Sequence, residues 1–110
     1  MTADLKPKSN RAPIKIESSN GLKNERGTIA MARTSDPNSA TSQFFINHAN
    51  NEFLNYKNPS PQGIGYTVFG KVVSGLEVVD KIAGVRTGSK MGYSDVPVET
   101  VEIKSVTLKK

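Results

Sequence analysis

The sequence predicts a mostly-β domain with one main α-helix and long loops. Three observations carry this. The apolar residues gather in short runs, rich in β-branched and aromatic types and bounded by turn residues. Only one segment, near residues 74–84, has helical spacing. The stretches between are dense in Pro, Gly, Asn and Ser.

Residues 1–27 are polar and basic, and Pro7 and Pro13 forbid a long helix; an extended arm or long loop is expected, with 1–14 a loop or arm. Thr28-Ile29-Ala30-Met31-Ala32 reads as a buried strand. Ser35-Asp36-Pro37-Asn38-Ser39 is a turn, since Asp and Asn bond their own backbone and Pro fixes φ. Gln43 to Asn47 is a second strand, and Asn51 to Asn55 a single helical turn. Asn58 to Gly63 is a loop, and Tyr66 to Val73 the strongest strand. In the helix that follows, Ser74 and Glu77 match a capping box, Leu76, Val79, Ile82 and Ala83 share a face, and Gly84 suits a left-handed end. Residues 85–97 read as loop. Val98 to Leu108 is a fourth strand, with a bulge near Ser105 where its apolar phase changes.

The 110 residues allow one domain. No cysteine is present, which excludes disulfides, thiolate zinc sites and thiol catalysis. His48 is the single histidine and reads as a surface residue. No apolar run is long enough to span a membrane. The net charge of +5 is spread over two flanks: residues 1–33 carry seven bases and three acids, and residues 81–110 six and three. The aromatics lie mainly between them, in residues 34–80, which carry two bases and four acids. A nucleic-acid surface would interleave bases with stacking rings, so no nucleic-acid partner is expected. Gly63-Ile64-Gly65-Tyr66 lacks the third glycine and the helix of a dinucleotide loop.

The segment from Arg33 to Phe45 holds the candidate chemistry. On a strand, Phe44 and Phe45 face opposite ways and Gln43 shares a side with Phe45. A long amide beside a ring suits an extended peptide, the ring packing an apolar residue and the amide bonding main-chain groups. A core Phe beside a surface Gln is the competing reading, and physics alone leaves both open.

Three blocks decide between them. Gly27-Thr28-Ile29-Ala30-Met31-Ala32-Arg33, Ser39-Ala40-Thr41-Ser42-Gln43-Phe44-Phe45-Ile46-Asn47 and Tyr66-Thr67-Val68-Phe69-Gly70-Lys71-Val72 resemble consecutive blocks of a bacterial cyclophilin, over about Lys15 to Leu108. The resemblance implies part of an eight-stranded antiparallel β-barrel, here about four strands, and a peptidyl-prolyl cis-trans isomerase that assists folding. It implies no metal or cofactor, and as partners proline-containing peptides and unfolded proteins. By position, Phe45 resembles the floor of a proline pocket, Leu54 its wall, and Gln43 the amide that orients the peptide; Gln43 and Phe45 stand for the catalytic set. Ala32, Arg33 and Thr34 resemble the segment along which substrate lies. Phe53 stands where many members have Trp and Tyr66 where others have His, while Phe69 is assigned to the core.

The family pattern also has a first half, with an F-H-R segment that supplies its main catalytic arginine, and neither that segment nor M-I-Q-G-G occurs here. Arg11, Arg26, Arg33 and Arg86 lack the matching context. Met1 is therefore expected to be an internal methionine or a late start. A chain with half a barrel is expected to be marginal alone, or completed by self-association or by the missing half. A bacterial cytoplasm or periplasm is expected as the compartment, the sequence leaving the two open. A fragment that binds Pro-containing peptides without isomerising them is the alternative function.

Overall fold

The computed structural model describes residues 1–109. Strands β1 (Thr28–Met31), β2 (Phe44–Ile46) and β3 (Val68–Lys71) form an antiparallel sheet in the order β2-β1-β3. The run with small Ala30 at its middle takes the central place. Ala30 pairs with Phe45 on one side and Val68 on the other, so all three share a face. Ala30 is fully buried and Val68 nearly so; with Ala40 they are the buried apolar core among the described residues.

The register shifts between Ile29 and Ala30 against β3, where Ile29 faces Gly70 but Ala30 faces Val68. With Val68 turned inward, Phe69 is turned the other way. It is 54% exposed, so it is not the core residue expected from the sequence.

The segment from Ile14 to Asn24, which the sequence offered as loop, is a strap fastened at many points. The Ile14 amide donates to the Ala40 carbonyl at 3.0 Å and the Ile16 amide to Asn38 Oδ1 at 2.9 Å. The Glu17 amide reaches Thr67 Oγ1 at 3.2 Å, and Asn20 Nδ2 the Val68 carbonyl at 3.0 Å. Buried Ser18 donates its hydroxyl to the Ile64 carbonyl.

Helix α1 (Leu76–Ala83) begins on Gly75, whose φ of 87° is left-handed. That glycine displaces Ser74 from the capping position, and the expected capping box does not form: no side chain caps the helix. Gly84 also departs from expectation, with φ −93° rather than a left-handed value. Leu76 packs over Gly27 at 3.9 Å from where a Cβ would stand, and Arg26 pairs bidentately with Asp80, both bonds 2.8 Å.

Two further differences concern the end of the chain. Residues 85–97, expected as loop, contain the hairpin β4 (Thr87–Lys90) and β5 (Tyr93–Pro97). Met91 and Gly92 both have positive φ, 52° and 82°, the two-residue turn that suits a right-twisted hairpin. The usual Asn-Gly or Asp-Gly signal is absent, which hides it. Conversely, residues 98–109 form no strand and stay exposed. An alternating apolar pattern becomes a strand only against a paired edge, and no described strand pairs with it.

Candidate peptide-binding site

β1 leads directly into the candidate site. Beyond Met31 the ladder continues for one bond, the Ala32 amide donating to the Gln43 carbonyl at 2.9 Å. This aligns Ala32, Arg33 and Thr34 beside the start of β2. Thr34 then turns the chain: its amide donates to Ser39 Oγ at 2.8 Å, and its hydroxyl accepts from the Asp36 amide at 3.2 Å.

Half-buried Phe45, on the core face opposite Ala30, stands edge-on to half-buried Tyr66, with ring centres 5.8 Å apart and planes at 81°. That is a favoured aromatic geometry. The Arg33 guanidinium lies over the Tyr66 ring at 4.5 Å. Its Nε donates to the Gly65 carbonyl at 3.0 Å and its Nη1 to the Thr34 carbonyl at 2.9 Å. Arg33, Tyr66 and Phe45 thus form one connected group. Arg33, Thr34 and Tyr66 line an open recess of about 500 Å³ together with Ser35, Pro61 and Gln62. A smaller, mainly apolar recess of about 130 Å³ lies between the strap and the sheet, and includes Ile14, Ile16, Met31 and Phe69; Arg33 touches both.

The other candidates are placed differently. Leu54 ends the 3₁₀ turn Glu52–Leu54 and is half-buried; Phe53, beside it, is 71% exposed. Gln43 is exposed at the mouth of β2. None of Gln43, Phe45, Phe53 and Leu54 lines either recess, and Phe45 connects to the larger one through Tyr66.

Leu54 and Tyr66 are locked by groups the sequence did not single out. The Leu54 carbonyl accepts from the Tyr66 amide and from Asn24 Nδ2, both at 3.0 Å. Asn24 and Asn47 are the two largest fully buried side chains. Asn47 Nδ2 donates to Asn24 Oδ1 at 3.0 Å and to Thr28 Oγ1 at 2.9 Å, while Asn51 Nδ2 donates to Asn47 Oδ1 at 2.7 Å. A satisfied buried amide network is rigid because each loss strands a polar group. The only sequence signal was the cluster Asn47, Asn50, Asn51, Asn55 after an apolar strand. Gly65, in the stretch that lacks the pattern of a dinucleotide loop, has a structural role instead. Its φ is +69°, and an added Cβ would lie 2.6 Å from the Leu54 carbonyl oxygen, so glycine is required there.

Among the described residues no group of acidic or histidine side chains is arranged to hold a metal ion, and no helix is long and apolar enough to cross a membrane.

Comparison with known proteins gives the family. The family model for cyclophilin type peptidyl-prolyl cis-trans isomerases matches residues 2–108. The chain is 54% identical over 107 residues to peptidyl-prolyl cis-trans isomerase cyp18 of Streptomyces antibioticus, covering 97% of this chain and 64% of that protein. It is 58% identical over 104 residues to peptidyl-prolyl cis-trans isomerase B of Escherichia coli K12, covering 94% and 63%. A peptidyl-prolyl cis-trans isomerase of Acinetobacter baylyi is 57% identical over 106 residues, covering 96% and 55%. The chain therefore spans less than two thirds of the length of these curated relatives. The match extends through the strap, the sheet, the helix and the exposed tail: the chain belongs to the cyclophilin-type peptidyl-prolyl cis-trans isomerase family.

Proposed function

We propose that the chain binds Pro-containing segments of peptides and unfolded proteins at Phe45 and takes part in rotating their X-Pro bonds. The observation that carries this is the Phe45–Tyr66 pair, held on the core face of the sheet beside the Ala32–Thr34 segment. Phe45 packs the pyrrolidine ring, Leu54 and Phe53 border it, and Gln43 orients the peptide main chain. Names and identities of the relatives support the same reading.

Rotation about a prolyl amide faces a barrier of about 20 kcal/mol and takes roughly 10–100 s unaided. Twisting removes the C–N double-bond character and leaves a nitrogen that accepts a hydrogen bond. Groups that bind this twisted form more tightly than the planar one accelerate rotation. The pocket ring anchors both forms alike, so catalysis needs a donor besides it.

That need supports a second reading, a module that binds such segments without isomerising them. The Phe-His-Arg segment that carries the family arginine does not occur in this sequence. Under either reading the uncovered apolar surface, including Phe44, Phe69 and Val73, is completed by the remaining family segment rather than by solvent. Adding that segment in trans raises activity and thermal stability; no change in either rejects it. The compartment we assign is a bacterial cytoplasm or periplasm, where a chain without cysteine functions equally well.

The deciding experiment follows Ala-Pro isomerisation and Ala-Pro peptide binding by residues 1–110, with Phe45→Ala beside the wild type. Losing a packed phenylalanine costs about 1.5–3 kcal/mol of contact, or roughly ten- to a hundred-fold in affinity. Catalysis that Phe45→Ala removes supports the isomerase. Binding without catalysis supports the module. A folded wild type that does neither overturns both.

A further inference from the structure

Arg33 has more hydrogen-bonding capacity than its surroundings use. A guanidinium has five N–H donors and, when partly withdrawn from water, needs acceptors or a counter-charge. Arg33 spends one donor on the Gly65 carbonyl and one on the Thr34 carbonyl, and its plane is laid over the Tyr66 ring. These contacts fix the fork in place. Its Nη2 has no hydrogen-bond partner among the described residues, and no carboxylate there lies within ion-pair distance of it. Asp36, nearest along the chain, has its Oδ1 accepting from the Asn38 amide at 2.9 Å within its own turn. Glu17 borders the smaller recess with Arg33 but does not pair with it.

The larger recess around the fork is neutral and polar: Thr34, Ser35 and Gln62 bring hydroxyls and an amide, and Pro61 and Tyr66 bring apolar walls. A cation oriented in advance, without a resident anion, beside side chains able to donate, matches a carboxylate. We propose that this recess is a subsite for an Asp or Glu side chain of the bound Pro-containing segment, with Arg33 setting the preference. The proposal rests on the reading of Phe45 as the proline site.

Geometry also places the acid along the peptide. The separations of 5.8 Å and 4.5 Å through the Tyr66 ring put the guanidinium carbon within about 10 Å of the Phe45 ring centre. Extended chain rises about 3.3 Å per residue, so the acid falls within about three residues of the proline. A peptide with its acid farther from the proline than that gains nothing.

The test titrates the ¹⁵N-labelled chain of residues 1–110 with short Ala-Pro peptides. These carry Glu at each flanking position in turn, each paired with a Gln twin. At one position within about three residues of the proline, the Glu peptide binds about five-fold tighter than its twin, the size of a partly solvated ion pair. The Glu-to-Gln ratio falls to near one in Arg33→Met. If no position favours Glu, or if the ratio survives Arg33→Met, the proposal is overturned. Should that variant fail to fold, salt decides on the wild type. The ratio shrinks as ionic strength rises, and a ratio indifferent to salt overturns the subsite. Failure of the underlying reading looks different: neither twin then shifts the Phe45 and Leu54 resonances. Equal binding of the twins, with those shifts present, rejects the subsite alone.

Discussion

Asn24 donates to the Leu54 carbonyl through its side chain and is fully buried, so it holds the Leu54 turn in a way no apolar residue can copy. Truncation to alanine removes one bond from the Leu54 carbonyl, which keeps the Tyr66 amide, and one from Asn47 Nδ2, which keeps Thr28 Oγ1, and each lost hydrogen bond costs about 0.5–1.5 kcal/mol. We expect Asn24→Ala to lower the urea midpoint by that order and to shift the Leu54 and Tyr66 resonances. A wild-type midpoint with unmoved resonances rejects the network as a positioning device. Gly65→Ala makes the complementary case through the backbone. A left-handed φ costs a side-chain-bearing residue about 1–2 kcal/mol, and the new Cβ meets backbone rather than a flexible tip. Circular-dichroism melting should show a loss at least that large. Phe45, Gln43 and Arg33 stand out as candidates in the sequence because their blocks are distinctive. Asn24 and Asn47 were not, since burial of an amide depends on partners about 20 to 40 positions away in the chain.

The helix shows how local signals and tertiary placement part company. Ser74 and Glu77 have capping-box spacing, yet the left-handed Gly75 takes the N-terminal position. Ser74→Ala should therefore change stability by less than about 0.5 kcal/mol, where loss of a working cap costs about 1 kcal/mol. A full-sized loss by chemical denaturation would restore the capping box. What fastens α1 is instead the Arg26–Asp80 pair, with Arg26 Nη1 also donating to the His48 carbonyl at 2.8 Å. The hydrogen bonds from Arg26 hold the Asp80 carboxyl below its ordinary range. Because the folded value is depressed, this contribution is present above the unfolded value of about 3.9 and is lost as pH falls through the folded one. Asp80→Asn should be slightly less stable than wild type near neutrality, and the gap should close in acid. A gap that persists below both values would assign Asp80 a role other than its charge. The hairpin Thr87–Pro97 escaped notice for the opposite reason. Its turn residues, Met91 and Gly92, adopt a favoured geometry without the favoured composition.

For the whole molecule, stability follows from how little apolar surface is sealed. Ala30, Ala40 and Val68 are the buried apolar residues among those described, while Phe44, Phe69, Val73, Val78 and Ile82 stay exposed. The fold class was legible because three strands carry their own β-branched and aromatic runs. The tail was misread because Val98, Val101, Ile103, Val106 and Leu108 spell a strand whose partner edge is not among the described strands. A strand pattern without an edge is unfinished, and amide exchange tests this directly. Amides of β1, central in its sheet and bonded on both sides, should exchange slowest in residues 1–110. Those of residues 99–109, beyond the bond from the Val98 amide to the Arg86 carbonyl, should exchange at nearly the unprotected rate. Adding the remaining family segment should then slow the tail along with the sheet, as one cooperative unit. Tail protection already present in the isolated chain at high dilution would show that its apolar residues find an edge within this sequence, and the uncovered-face argument would fall with it.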